Sequence, residues 1–183
     1  MAAPLPMPIT VLLFSFGLLT WTDGLFFLGI GAAPAKEGAP HPAKTVALVN
    51  VIGPIAIWIQ VYQIIGGQTL GAASNPVAGI AATFAFLFLL LGLVLWYGLD
   101  LKPVGNLAFV VGVVTVFYMI WWFSLGALMF TSIAAIWWIA CFITTAVTYG
   151  KASAKYAGAW LLVVAWWTFL IPALMIVFGI PIP

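Results

Sequence analysis

The chain has 183 residues, of which 66% are hydrophobic and 4% charged. A soluble domain carries about 25% charged residues, so this chain cannot cover itself against water and reads as an all-α integral membrane protein. A net charge of +2 without any arginine excludes a nucleic-acid surface. One histidine, three acidic residues and a single cysteine exclude an intramolecular disulfide and leave no set for a metal centre or a nucleophile–base pair, so neither a cofactor nor an enzymatic activity is expected.

A spanning helix needs about 20 apolar residues, and six segments qualify, all in one transmembrane domain over 1–183. The first covers 9–31; no Lys or Arg precedes it and it exceeds the h-region of a cleaved signal, so it reads as a retained helix. A connection with three prolines leads to the second, 44–65. Gly66, Gly67, Gly71, Ser74, Asn75 and Pro76 separate it from the third, 77–99. Tyr97-Gly98-Leu99-Asp100-Leu101-Lys102-Pro103 leads to the fourth, 104–123. The apolar run then continues to Val147, which as one helix would reach ~66 Å, more than twice the ~30 Å hydrocarbon core. It must therefore turn, and Ser124-Leu125-Gly126-Ala127 is the place. The fifth and sixth segments cover 128–149 and 156–178, joined through Lys151 and Lys155.

The lysines support this count. Lys36, Lys44, Lys102, Lys151 and Lys155 all fall in connections one, three and five, hence on one side of a six-helix bundle. Positive charge stays in the cytoplasm, so both termini are expected on the outer side. The other connections hold no titratable side chain, and His41 lies on the lysine side. Gating by external acid through loop histidines is therefore not expected.

Asp23 lies more than halfway along the first segment. An ionisable group at that depth costs at least a few kcal/mol and faces the bundle interior or a water-filled cavity. It either lines a solute path or only ties helices together; Asn50, at similar depth in the second segment, is a partner within reach. Leu13, Phe16, Thr20 and Asp23 recur at three or four residues and share a face. Trp21, Trp137, Trp138, Trp166 and Trp167 lie near mid-bilayer rather than at the interfaces where indoles collect. Such rings either pack as bulk or line a narrow passage for a flat, uncharged solute. No chain of charges crosses the membrane, which speaks against an ion pump or voltage sensor.

These residues resemble the AmiS/UreI family of amide and urea channels. The Gly98-Leu99-Asp100-Leu101-Lys102-Pro103 connection is similar to its Gly-Leu-Asp-x-[Arg/Lys]-Pro loop, and Thr168-Phe169-Leu170-Ile171-Pro172-Ala173 to its Thr-x-x-Ile-Pro-Ala ending. Asp23-Gly24 stands where many members have Asn-Gly; Ala47-Leu48-Val49-Asn50 and Phe84-Ala85-Phe86 match the family in helices two and three. The resemblance covers nearly the whole chain. It implies passive permeation of urea or short-chain amides such as acetamide and formamide, with one pore per protomer. It also implies a homohexamer in the lipid bilayer of a bacterial cytoplasmic (inner) membrane. Pore positions carried over on it are Leu13, Phe16, Thr20, Asp23, Phe86, Leu90, Trp138 and Phe142, with Asn50 as polar support; a one-residue gap moves the helix-five position to Trp137. Val164 stands where an acid-gated member has a carboxylate. Two rival readings are a proton-coupled amide carrier using Asp23 and a non-transporting membrane scaffold.

Overall fold

In a computed structural model, residues 7–34 and 40–183 are described. Lys36 and Glu37 of the first connection fall outside them. Among the described residues six helices are long and apolar enough to span a membrane. They are α1 (Met7–Leu28), α2 (Ala43–Gly67), α3 (Ser74–Tyr97), α4 (Lys102–Ser124), α5 (Leu128–Thr148) and α6 (Ala154–Val177).

Local chemistry sets the ends. α1 stops at Leu28 rather than at Gly31, because Gly29 adopts φ +92° and ends the helical backbone. α3 starts at Ser74, ahead of Pro76, whose missing N–H is no loss in a first turn. Gly98, at φ +66°, closes α3, and Asp100 Oδ1 then accepts from the Lys102 backbone N–H at 3.0 Å to start α4. The turn that splits the long apolar run centres on Gly126, at φ +70°. Ser153 caps α6 by accepting from the Tyr156 N–H at 3.2 Å.

α6 is not uniform. It is α-helical over Ala154–Val163, widens to a π-helix over Val164–Leu170, and returns to α over Ile171–Val177. Within the wide stretch the Thr168 hydroxyl donates to Val164 O at 2.6 Å. Pro172, just beyond, can donate no backbone hydrogen bond.

Each helix packs on its neighbours in chain order, and α6 returns against α1, so the six form a closed ring. The broadest contacts are α2 with α3 and α4 with α5; the contacts α3–α4 and α5–α6 are thin, so α4 and α5 stand as a hairpin against the rest. α1 meets α6 at glycine: a Cβ on Gly158 would lie 2.6 Å from Leu28 N and 2.7 Å from Gly24 O. Leu18, Ile52, Ile55, Ile59, Phe117 and Val163 point outward, as apolar side chains do toward lipid.

Candidate functional site: two cavities meeting at an aromatic ring

The ring encloses two cavities. One, of about 90 Å³, opens toward the end that carries Lys102, Lys151 and Lys155; its walls include Thr20, Asp23, Phe27, Leu101, Thr144 and Thr148. The other, of about 580 Å³, lies toward the start of α1, among Leu12, Leu13, Phe16, Trp121, Trp122 and Ile176. Phe84, Trp137 and Phe169 line both. The cavities therefore approach from opposite ends and meet at three aromatic side chains. α2 contributes no wall to either cavity and stands behind α1 and α3.

The rings at the meeting point touch one another. Phe84 and Trp137 have centroids 4.8 Å apart, and Trp137 and Phe169 stack at 5.6 Å. Phe16 stacks on Phe169 at 5.2 Å and meets Phe88 at 6.0 Å. Five rings from α1, α3, α5 and α6 thus form the waist. The π-helical stretch of α6 holds both Phe169 and Thr168, and such stretches recur at functional sites.

Polar groups are few, and among those of the cavity walls Trp137 Nε1 and Asp23 Oδ2 lack partners, as does Asn50 Oδ1 behind them. Trp137 is 8% exposed and its Nε1–H finds no acceptor, whereas Trp167 donates to Ser132 Oγ at 3.1 Å and Trp160 to Ile136 O at 3.4 Å. Asp23 is fully buried; its Oδ1 accepts from Asn50 Nδ2, while Oδ2 has no partner. Thr20 donates its hydroxyl proton to Phe16 O at 2.8 Å, which leaves its oxygen free to accept. A buried donor or acceptor left unpaired costs about 1–3 kcal/mol, so the two vacancies of the cavity walls suit a guest that carries the complementary groups. Among the described residues no group of three metal-ligating side chains exists.

The carried-over positions divide. Leu13 and Phe16 line the larger cavity, and Thr20 and Asp23 the smaller one, so the α1 face points inward along its whole length. Asn50 sits behind Asp23. On α3 and α5 the carried-over positions lie off the two cavities, and on α5 the alternative Trp137 lines them. Phe86 is 53% exposed, Leu90 is half-buried, and neither lines a cavity; the inward side chains are Phe84, Leu87, Phe88 and Leu91. Trp138 is 40% exposed and packs edge-on against Phe142 at 5.8 Å; Phe142 in turn meets Phe109 of α4 at 5.4 Å. Both lie away from the cavities, and Trp137 takes the inward place. The reason is angular: successive helical residues diverge by about 100°, so a register error of one or two residues turns an inward ring outward. Cys141, Thr144 and Thr148 follow Trp137 at four, seven and eleven residues and line the same cavity. Phe142, Thr145 and Tyr149 follow Trp138 at the same intervals and are also partly polar, so the residue pattern does not choose between the two faces. Phe169 is less legible still: it lies in the π-helical stretch, and only Pro172 beside it hints at irregular hydrogen bonding.

The solved urea channel of Helicobacter pylori has the same fold. Its crystal structure superposes with a TM-score of 0.73 at 16% identity, covering 93% of this chain and 98% of that one. Its closed state, from cryo-electron microscopy, gives 0.74 at 15% identity, covering 92% and 97%. No curated protein sequence matches the chain. The model of the AmiS/UreI family of transporters matches residues 9–180, which takes in all six helices and the waist they surround, and the chain therefore belongs to the AmiS/UreI family.

Proposed function

We propose that the chain is a passive channel for urea or short-chain amides, with one pore through each protomer. The observation that carries this reading is the pair of cavities that meet at Phe84, Trp137 and Phe169. The waist suits a flat neutral solute. Aromatic faces stack on a planar amide. The solute's carbonyl oxygen accepts from Trp137 Nε1–H, and its N–H₂ group donates to Asp23 Oδ2 and to Thr20 Oγ. Leu13, Phe16 and Phe88 continue the apolar wall, and Asn50 holds the Asp23 carboxyl in place. A hydrated ion would have to leave its water among these rings, at a cost of tens of kcal/mol in a medium of low dielectric. Urea, for which the Helicobacter pylori channel is named, is of the class that fits.

The protein would sit in a bacterial cytoplasmic membrane as a homohexamer, the lysine end inward by the positive-inside rule and both termini outward. Stopped-flow light scattering on proteoliposomes tests the reading. Urea, acetamide and formamide should enter faster than glycerol and faster than into empty liposomes. Flux no faster than in empty liposomes, with protein folded and inserted, would support a scaffold instead. A second reading, a proton-coupled carrier, is favoured by the burial of Asp23 against a cavity. It predicts uptake that follows an imposed proton gradient; uptake that follows only the solute gradient sinks it.

A further inference from the structure

Asp23 is a carboxyl-bearing residue that lines a cavity, and no basic side chain among the described residues answers it. Asn50 Nδ2 donates to Asp23 Oδ1 and, at 3.1 Å, to Val46 O, so its donors are used up. Oδ2 stays unpartnered in a residue that lines the lysine-end cavity. The described lysines are all exposed and none lines a cavity: Lys102 pairs with Asp100 at 3.7 Å, and Lys44 lies 5.7 Å over the Trp96 ring. Buried carboxylates are paired or neutralised. Among the described residues no cationic side chain reaches this one, so when Asp23 is ionised its counter-charge comes from solution. The walls around it are aromatic: Phe27, Phe84, Phe88, Trp137 and Phe169. Ring faces attract cations, more strongly where water is excluded.

We propose that the lysine-end cavity binds planar amidinium-class cations, held by a charge-assisted N–H bond to Asp23 Oδ2, and that they block the pore there. Acetamidinium is the simplest probe. It keeps the shape of acetamide but replaces the carbonyl oxygen with a second N–H-bearing nitrogen and carries a positive charge. Asp23 therefore gains a stronger partner. Trp137 does not: its N–H would face another donor, so the cation has no acceptor to offer at the waist. It stays on the Asp23 side and excludes the neutral amide.

The binding rests on the cavity and not on which solute permeates, so it can be read without flux. Isothermal titration calorimetry on the detergent-solubilised full chain at pH 8 should show saturable acetamidinium binding. That binding should be about tenfold or more tighter than acetamide, the ratio expected of a charge-assisted over a neutral hydrogen bond. It should fall by a similar factor in Asp23→Asn, an isosteric change whose fold is checked by thermal unfolding. Tetramethylammonium, a cation without N–H groups, should bind at least about tenfold more weakly than acetamidinium. No saturable binding to the wild type, binding unchanged in Asp23→Asn, or equal binding of tetramethylammonium would each overturn the proposal; the first and last do so even if the variant fails to fold. Amide flux that persists without acetamidinium binding would remove this inference alone. Binding without any amide flux would remove the channel reading, and with it the block, while the binding site would stand.

Discussion

Asn50 reaches from α2 across to α1 and donates its side-chain N–H to Asp23 Oδ1, while its second hydrogen goes to its own helix at Val46 O. One amide thus fixes the buried carboxyl of a cavity-lining residue and leaves its other oxygen without a partner. Through this bond a helix that lines neither cavity still takes part in the site. Asn50→Leu removes both donors and leaves Asp23 without a protein partner. Hydrogen bonds between helices in a membrane contribute about 0.6 kcal/mol on average and up to about 1.7, and a carboxyl acceptor belongs at the upper end. We expect Asn50→Leu to destabilise the protein by about 1–2 kcal/mol in SDS unfolding from mixed micelles. The same change made on top of Asp23→Leu should cost less, because no buried carboxyl is then orphaned. Equal costs in both backgrounds would mean that the bond does not couple α1 to α2.

Trp137 and Trp138 are adjacent in sequence, but only Trp137 lines the cavities, which makes them a matched pair of tests. Trp137→Phe keeps a ring at the waist, removes the unpartnered N–H and makes the passage wider. The lost donor slows urea and the added width admits glycerol, so both effects lower selectivity. A net hydrogen bond of about 1–1.5 kcal/mol corresponds to roughly a tenfold change. The urea-to-glycerol permeability ratio should therefore fall by about tenfold in Trp137→Phe. In Trp138→Phe, whose ring faces away from the cavities, it should stay within about twofold. The opposite ranking would return the α5 wall to the Trp138 face.

That contrast marks how far the sequence can be read. Six spans and the turn at Gly126 follow from length, composition and the thickness of a bilayer, and Asp23 is conspicuous because a carboxyl at mid-membrane is costly. On α1 the inward face also follows, since Leu13, Phe16, Thr20 and Asp23 include two polar residues that fix the angle. On α3 nearly every residue around Phe84 is apolar, and an all-apolar helix carries no phase information. For that reason nothing in the pattern moves the carried-over position from Phe86 to Phe84 or Phe88. Phe169 is a different case. Its inward position depends on a π-helical stretch between Val164 and Leu170, and the sequence beside it gives only Pro172 as a hint of irregular hydrogen bonding.

Cys141 offers a chemical probe of the same wall. It is the chain's only thiol, is 3% exposed, and lines the lysine-end cavity beside α4, where a Cβ on Gly112 would approach its own Cβ to 3.0 Å. Any added bulk there protrudes toward the cavity, since the α4 side is already filled. Mercuric ion, small enough to enter, should reduce urea flux through proteoliposomes to near the level of empty ones, and excess thiol should restore it. Cys141→Ala should conduct and resist the reagent. A wild-type flux untouched by mercury, with the thiol shown by mass spectrometry to be modified, would mean that solute does not pass this cavity.

The closure of the ring rests on backbone rather than on side chains. α1 and α6 approach so closely at Gly24 and Gly158 that a methyl group on Gly158 would meet Leu28 N and Gly24 O, neither of which can move without the whole helix. Overpacking of this kind typically costs about 1–3 kcal/mol. Because the obstructing atoms belong to main chain, Gly158→Ala should reach the upper part of that range in SDS unfolding. The displacement would fall one residue from Asp23, so the variant should also lose urea flux at temperatures where it remains folded. Gly66→Ala is the control: it lies in the last turn of α2, a Cβ there meets nothing, and alanine suits a helix better by up to about 1 kcal/mol. It should leave flux unchanged and stability equal or slightly raised. If Gly158→Ala behaved like Gly66→Ala, α1 and α6 would have to stand further apart than this ring allows, and the aromatic waist that bridges them through Phe16 and Phe169 would be correspondingly wider.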